Sequence, residues 1–116
     1  MNMAVFEARR HGERGDLVLR GELDLATVRE LEEVARDIAR PGEDLVLPLS
    51  ELEFLGLVGL HVIEAIAVQV SPGGRVILDS PSPPVRRLLE LMGLGARPTI
   101  AARERPQPET LTVGSA

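Results

Sequence analysis

Residues 44–70 read DLVLPLSELEFLGLVGLHVIEAIAVQV, and they predict a buried strand followed by a long apolar helix at the centre of the domain. Residues 44–49 form an almost continuous apolar run, which is typical of a strand covered on both faces of a sheet. Pro48 has no amide hydrogen to donate to a neighbouring strand, so we expect it at the end of that strand or where no donor is needed. The helix is predicted from Leu57 to Val70. It is apolar on nearly all sides, which indicates burial on more than one side.

The segments before this stretch predict a hairpin and an amphipathic helix. Residues 3–9 and 17–21 are expected to be strands, because a polar turn with two glycines at residues 11–16 separates them. Asp24 is predicted to cap the first helix, since its carboxylate can accept hydrogen bonds from amides of the first turn. In residues 25–40 apolar side chains, beginning with Leu25, recur at three- and four-residue steps, as on one stripe of a helix.

After the central helix, residues 75–79 predict another buried strand, and residues 85–92 predict a third helix preceded by prolines. We expect Gly93 or Gly95 to end that helix and residues 97–103 to form a last strand. The predicted order is therefore β-β-α-β-α-β-α-β. This order indicates an α/β domain over residues 1–103, with a mixed sheet of four to five strands packed against three to four helices. Residues 104–116 are polar and contain two prolines, which predicts a mostly disordered tail.

The composition restricts the class of function. The chain has 116 residues, of which 44% are hydrophobic, enough for one domain with an aliphatic core. Two Phe and no Trp or Tyr leave few aromatic rings for stacking on sugars or single-stranded nucleic acid. The net charge of −5 disfavours binding to nucleic acid and to anionic membranes. No apolar run reaches the ~18 residues of a membrane span and no signal segment is visible, so a cytoplasmic domain is expected.

The sequence contains few residues suited to catalysis or to metal binding. The chain has no Cys, and all 13 of its basic residues are Arg, which excludes thiolate chemistry and lysine-dependent phosphate loops. His61 and Glu64 are three residues apart on the predicted central helix, but two ligands are too few for zinc. A solvated polar stripe explains them better. With no pairing of a nucleophile with a base, we expect neither an enzyme nor a cofactor.

Three motifs, in this order along the chain, carry a resemblance to a known family. They are residues 21–27 (GELDLAT), residues 45–50 (LVLPLS) followed by Phe54, and residues 80–94 (SPSPPVRRLLELMGL). Together with the predicted element order, they resemble the STAS domain of bacterial anti-sigma factor antagonists over residues 3–103. Each motif alone is weak, whereas three in order and at the right spacing are specific for the fold.

The resemblance also identifies what is unusual at residues 54–60. Proteins of the family usually have Phe, an apolar residue, Asp, Ser, Ser or Thr, Gly and Leu at this strand-to-helix elbow. The Ser directly after the Asp is phosphorylated by the partner, an anti-sigma factor that is also a Ser/Thr kinase. Here Gly56 replaces the Asp, and Leu57 and Val58 replace the two hydroxyl residues. A helix N-terminus favours a phosphate, but neither Leu57 nor Val58 can accept one.

The resemblance implies that an anti-sigma factor of the Ser/Thr kinase type binds the elbow and the loop beside it. The candidate contact residues are Glu22, Asp24, Thr27, Leu55, Gly56, Leu57, Val58, Gly59, Leu60 and His61. Whether Leu55, Leu57 and Val58 face a partner or fill the core is left open by the sequence. The same holds for the apolar central helix, which either packs inside the domain or contacts a partner or a second copy in a homodimer.

The expected function is that of an anti-sigma factor antagonist that acts by binding and is not phosphorylated at the elbow. Two alternatives stay open. One is a STAS subunit that scaffolds a transporter or signalling assembly, and the other is a sensor of a small ligand. Contact with nucleic acid and direct insertion into a membrane are not expected.

Overall fold

The computed structural model describes residues 6–11, 16–93 and 98–104. These residues form six strands and three helices. In chain order the elements are β1 (Phe6–His11), β2 (Asp16–Leu23), α1 (Val28–Ile38), β3 (Leu45–Pro48), β4 (Glu51–Leu55), α2 (Leu57–Val70), β5 (Val76–Asp79), α3 (Pro83–Leu91) and β6 (Ile100–Arg103). The mixed α/β architecture confirms the predicted fold class.

The strands form two three-stranded sheets that lie next to each other. In the first sheet, β2 pairs with β1 in the antiparallel direction and with β4 in the parallel direction. In the second sheet, β5 lies between β3 and β6 and is parallel to both. Because β2 also runs close beside β3, the two sheets contribute to one core.

The core is aliphatic, as the composition predicted. Strand β2 alternates strictly, so that Leu17, Leu19 and Leu23 are fully buried on one face. Helix α2 is buried on several sides, and the buried side chains on it include Leu60, Ile63, Ile66 and Val70. Helix α1 packs beside α2 through a single stripe, Val28, Leu31 and Ala35. Packing inside the domain therefore accounts for most of the apolar surface of α2.

Several boundaries agree with the predictions. Helix α2 spans Leu57–Val70 as expected. Pro48 is the last residue of β3, an edge strand of the second sheet, where a proline is tolerated. The third helix begins two residues earlier than predicted, with Pro83 at its first position. Gly93 follows this helix with a φ of 67°, a left-handed conformation that glycine adopts without steric cost.

Two predictions need correction. The predicted order omitted β4, so the sheet strands number six among the described residues instead of four to five. Helix α1 begins at Val28 and not at Leu25, and Thr27 rather than Asp24 occupies the capping position. The physical reason is that residues 24–27 form a separate hydrogen-bonded turn before the helix. Several predictions fall outside the described residues. They concern the two glycines of the turn at residues 11–16, Gly95 and the tail from residue 105. The disorder of the tail therefore stays a prediction.

Candidate functional site

The strand-to-helix elbow is a tight junction centred on Gly56, between β4 and α2. Gly56 has an extended backbone (φ −85°, ψ 169°) and caps α2 without any side-chain hydrogen bond. Its N–H donates to the carbonyl of Leu23 at 2.9 Å, and its carbonyl accepts the N–H of Leu60 at 3.1 Å. The first of these bonds joins the elbow to the end of β2, and the second belongs to the first turn of α2.

The loop that follows β2 is held by the hydroxyl of Thr27. This hydroxyl donates to the carbonyl of Glu22 at 2.7 Å and accepts the N–H of Asp24 at 3.0 Å. Only 3% of Thr27 is exposed, so the hydroxyl acts inside the loop. The Asp24 carboxylate accepts the N–H of Ala26 at 3.0 Å, which closes a turn of the kind that Asp often forms. The loop at residues 22–27 therefore has a defined shape and lies against the elbow.

A β-bulge in β4 decides which side chains near the elbow face solvent. Gly21 of β2 pairs with Leu52, but the next residue, Glu22, pairs with Phe54, so Glu53 is left without a partner across the strands. An extra residue of this kind breaks the alternation of faces and redirects the side chains that follow. As a result Phe54 is exposed, while the residue after it, Leu55, turns into the core.

The structure brings the predicted contact residues together and divides them between surface and core. Leu55, Gly59 and Leu60 are buried, and Val58 is half-buried against the core. Leu57 is 55% exposed. Of the three residues whose placement the sequence left open, Leu55 fills core, Val58 is half-buried and Leu57 faces solvent. Contact of Leu57 with a partner stays a prediction.

The remaining predicted residues also lie at this surface. Glu22 and His61 are exposed and Asp24 is half-buried. Thr27 is buried and holds the loop in place. A Cβ built on Gly56 would lie 3.4 Å from Cε2 of Phe54 and 3.8 Å from Cα of Asp24, so the elbow and the loop are in direct contact.

Sequence reasoning missed two exposed residues beside the elbow. Phe54 is 50% exposed and Leu25 is 80% exposed. Leu25 was predicted on the buried stripe of α1, which is wrong, because it precedes the helix and points away from the core. Phe54 carried no usable signal, since its orientation depends on the bulge at Glu53.

Metal-ligating side chains do not cluster in the described residues. In them, no group of three or more His, Cys, Asp or Glu side chains could hold a metal ion, and His61 is exposed. No described helix is long and apolar enough to cross a membrane. An apolar groove of about 500 Å³ lies between α3 and β6 and shares none of its lining residues with the elbow.

Comparisons with known proteins agree with this architecture. One curated relative is the anti-sigma-F factor antagonist RsfB of Mycobacterium tuberculosis, found in two strains. It is 34% identical over 79 residues, which make up 67% of this chain and 65% of that protein. The chain thus spans just under two thirds of the length of this relative.

Two solved structures have the same fold. A structure of an anti-sigma factor antagonist from Mycobacterium paratuberculosis matches with a TM-score of 0.66 and 28% identity, over 84% of this chain and 86% of that one. The anti-sigma factor antagonist SpoIIAA in its unphosphorylated form matches with a TM-score of 0.65 over 92% of this chain and 93% of that one. At 22% identity the second match concerns the fold alone.

The family follows from these findings. The molecule is a small mixed α/β domain in which a bulged strand leads through a glycine elbow into the central helix. The family model of the STAS domain matches residues 6–105, and the chain belongs to that family.

Proposed function

We propose that this chain is an anti-sigma factor antagonist, which binds an anti-sigma factor through the loop at residues 22–27 and the elbow at residues 55–61. The single observation that supports this most is the hydrogen bond from Gly56 N–H to Leu23 C=O, because it makes the two predicted contact segments one continuous surface. Two proteins named as anti-sigma factor antagonists, at 34% and 28% identity, support the same assignment.

The antagonist acts by binding alone and is not phosphorylated at the elbow. Leu57 is the first residue of α2 and is exposed, where an acceptor hydroxyl would be accessible to a kinase, but its side chain is aliphatic. Val58 follows it and is half-buried against the core. The nearby hydroxyl of Thr27 is buried and hydrogen-bonded within its loop. We therefore infer that a kinase-type anti-sigma factor cannot switch this antagonist off by modifying the elbow.

The proposed place of action is the cytoplasm, where sigma factors and their anti-sigma factors operate. In this account the chain competes with a sigma factor for its anti-sigma factor and thereby releases the sigma factor. The antagonist would stay active for as long as it is present, since no phosphate at the elbow adds the ~1.5 to 2 negative charges that repel a partner.

A release assay tests the proposed function. Each kinase-type anti-sigma factor of the bacterium that encodes this chain, here called the host, is purified in complex with its sigma factor. The full chain is then titrated into the complex. We expect free sigma factor to appear in size-exclusion chromatography, together with a new complex of the chain and the anti-sigma factor. If no anti-sigma factor of the host releases its sigma factor or binds the chain, the proposed function is wrong.

A further inference from the structure

We propose that the docking surface has an apolar centre, made by Leu25, Phe54 and Leu57, and an acidic rim, made by Glu22, Asp24 and Glu53. The matching surface on the anti-sigma factor is then an apolar recess bordered by Arg or Lys side chains. This inference rests on the proposed function and specifies the chemistry of the same site.

The apolar centre is the first observation. Among the described residues, the large hydrophobic side chains that are exposed are Leu25, Phe54, Leu57, Val68, Leu91 and Met92. Three of these six belong to the elbow and its loop. A Cβ built on Gly56 would lie 3.4 Å from Cε2 of Phe54 and 3.8 Å from Cα of Asp24. Leu57 directly follows Gly56 in the chain, and Leu25 directly follows Asp24. Contiguous exposed apolar side chains with a polar border are typical of protein contact sites.

The exposure of the apolar centre is imposed by the backbone. In a strand that alternated regularly from the buried Leu52, Phe54 would be buried and Leu55 exposed, and the extra residue Glu53 reverses this order. Leu25 is held outside the core by the turn that Asp24 and Thr27 close. Two separate backbone features therefore direct apolar side chains outward at one place, and bulges commonly redirect side chains in this way next to functional sites.

The acidic rim is the second observation. Glu22 is exposed and is the cross-strand neighbour of Phe54, Glu53 is exposed and precedes Phe54, and Asp24 precedes Leu25. Residues 21–28 and 52–63 contain no Arg or Lys. The nearest arginines along the chain are Arg20, which pairs with Glu51 at 3.0 Å, and Arg29 on the first turn of α1.

These two observations define the partner by complementarity. Burial of the apolar centre supplies affinity, because large side chains near the middle of an interface contribute most of its binding energy. The acidic rim increases the association rate and sets the orientation of a basic surface, and salt weakens this effect. An apolar recess with a basic border complements both the apolar centre and the acidic rim, whereas the acidic rim would repel an acidic border.

The test measures the affinity and the association rate of the full chain for the anti-sigma factor that it binds. Phe54→Ala and Leu57→Ala probe the centre, and Val68→Ala is the matched control, since Val68 is 73% exposed near the other end of the same helix as Leu57. The double variant Glu22→Gln/Glu53→Gln probes the rim. Its matched control is Glu32→Gln/Glu33→Gln on the exposed face of α1.

We expect Phe54→Ala and Leu57→Ala each to raise the Kd by on the order of 10- to 100-fold, while Val68→Ala leaves it nearly unchanged. The rim variant is expected to lower the association rate at low salt by roughly 10-fold and to flatten its salt dependence, unlike the α1 control. Circular dichroism and Tm establish that each variant is folded. Leu57→Ala retains a good helix former at an exposed position, so it keeps the test valid even if Phe54→Ala unfolds the chain.

The outcomes separate the two proposals. If the anti-sigma factor binds and the centre variants behave like Val68→Ala, or the rim variant behaves like its α1 control, this inference is wrong, while the proposed binding of an anti-sigma factor by this chain stands. If no anti-sigma factor binds the unchanged chain, both are wrong.

Discussion

The N–H of Gly56 donates a hydrogen bond to the carbonyl of Leu23 at 2.9 Å, and this bond joins the elbow to the loop that follows β2. The loop is in turn closed by the hydroxyl of Thr27. A backbone-to-backbone bond does not depend on which side chain occupies the elbow. The surface can therefore keep its shape although Asp and Ser have been replaced by Gly56 and Leu57, as the resemblance to the family indicates.

Thr27→Val tests the role of the buried hydroxyl in the loop. The substitution keeps the shape of the side chain but leaves the Glu22 carbonyl and the Asp24 N–H without this partner. We expect the free energy of unfolding to fall by about 1–3 kcal/mol, the usual cost of an unsatisfied buried polar group. Denaturant titration gives this value. Thr27→Ser is the matched control, since it keeps the hydroxyl and loses one methyl group, at ~1 kcal/mol. If the Thr27→Val chain is as stable as the unchanged chain, the hydroxyl of Thr27 does not hold the loop.

Gly59→Ala tests the close approach of α2 to the end of β2. An added Cβ would lie 2.8 Å from Cγ of Leu23 and 2.9 Å from Cδ1 of Leu55, and both leucines are buried. Such overpacking costs ~1–3 kcal/mol, against at most ~1 kcal/mol gained from the better helix propensity of Ala. We expect a net loss of stability and a lower Tm in thermal unfolding.

Gly56→Ser is the control for that substitution. The Cβ at Gly56 has only an ordinary contact, 3.4 Å from the ring of Phe54, and serine is a favourable residue at a helix N-cap. Its stability should stay within about 0.5 kcal/mol of the unchanged chain. A Gly59→Ala chain as stable as the Gly56→Ser chain would show that α2 can move away from β2 at little cost.

Gly56→Asp combined with Leu57→Ser tests whether the scaffold still supports phosphorylation at the elbow. Both positions can accept the new side chains, since Gly56 has room for a Cβ and Leu57 is exposed at the first position of α2. A phosphate there is favoured by the free amides and the dipole of the helix. We expect the double variant to gain the mass of one phosphate after incubation with the anti-sigma factor kinase and MgATP.

Gly56→Asp alone is the matched control for that experiment, because it lacks the hydroxyl and should gain no phosphate. If the double variant also stays unmodified while it still binds the kinase, features beyond the acceptor residue have changed at this surface.

Much of the fold could be predicted from the chemistry of individual segments. The bounds of α2 followed from an apolar run between Gly56 and Ser71. The strand predicted over residues 44–49 is β3, Leu45–Pro48, and Pro48 lies at its end, one of the two places expected for a residue that cannot donate to a sheet. Strand β4 was missed because ELEFL, residues 51–55, is short, and its bulge places the two exposed residues Glu53 and Phe54 in succession. Alternation, the signal by which strands are recognised, is therefore broken within the strand.

That the two segments of the candidate site lie together could be predicted, but the orientation of their side chains could not. Residues 22–27 and 55–61 do meet, as the resemblance implied. The outward orientation of Phe54 and Leu25 depends on a pairing shift across two strands and on hydrogen bonds within the loop, and neither is encoded in a local pattern. Leu25 in particular continued the apolar periodicity of α1, although the helix begins three residues later.

We propose that this chain binds its anti-sigma factor in a way that phosphorylation at the elbow does not control. This is tested by the Kd of the unchanged chain for the anti-sigma factor kinase, measured after incubation with MgATP or with a non-hydrolysable ATP analogue, together with the intact mass of the chain. We expect the same Kd in both cases and no added phosphate. The proposal is wrong if binding is lost only with hydrolysable ATP and the chain gains the mass of a phosphate.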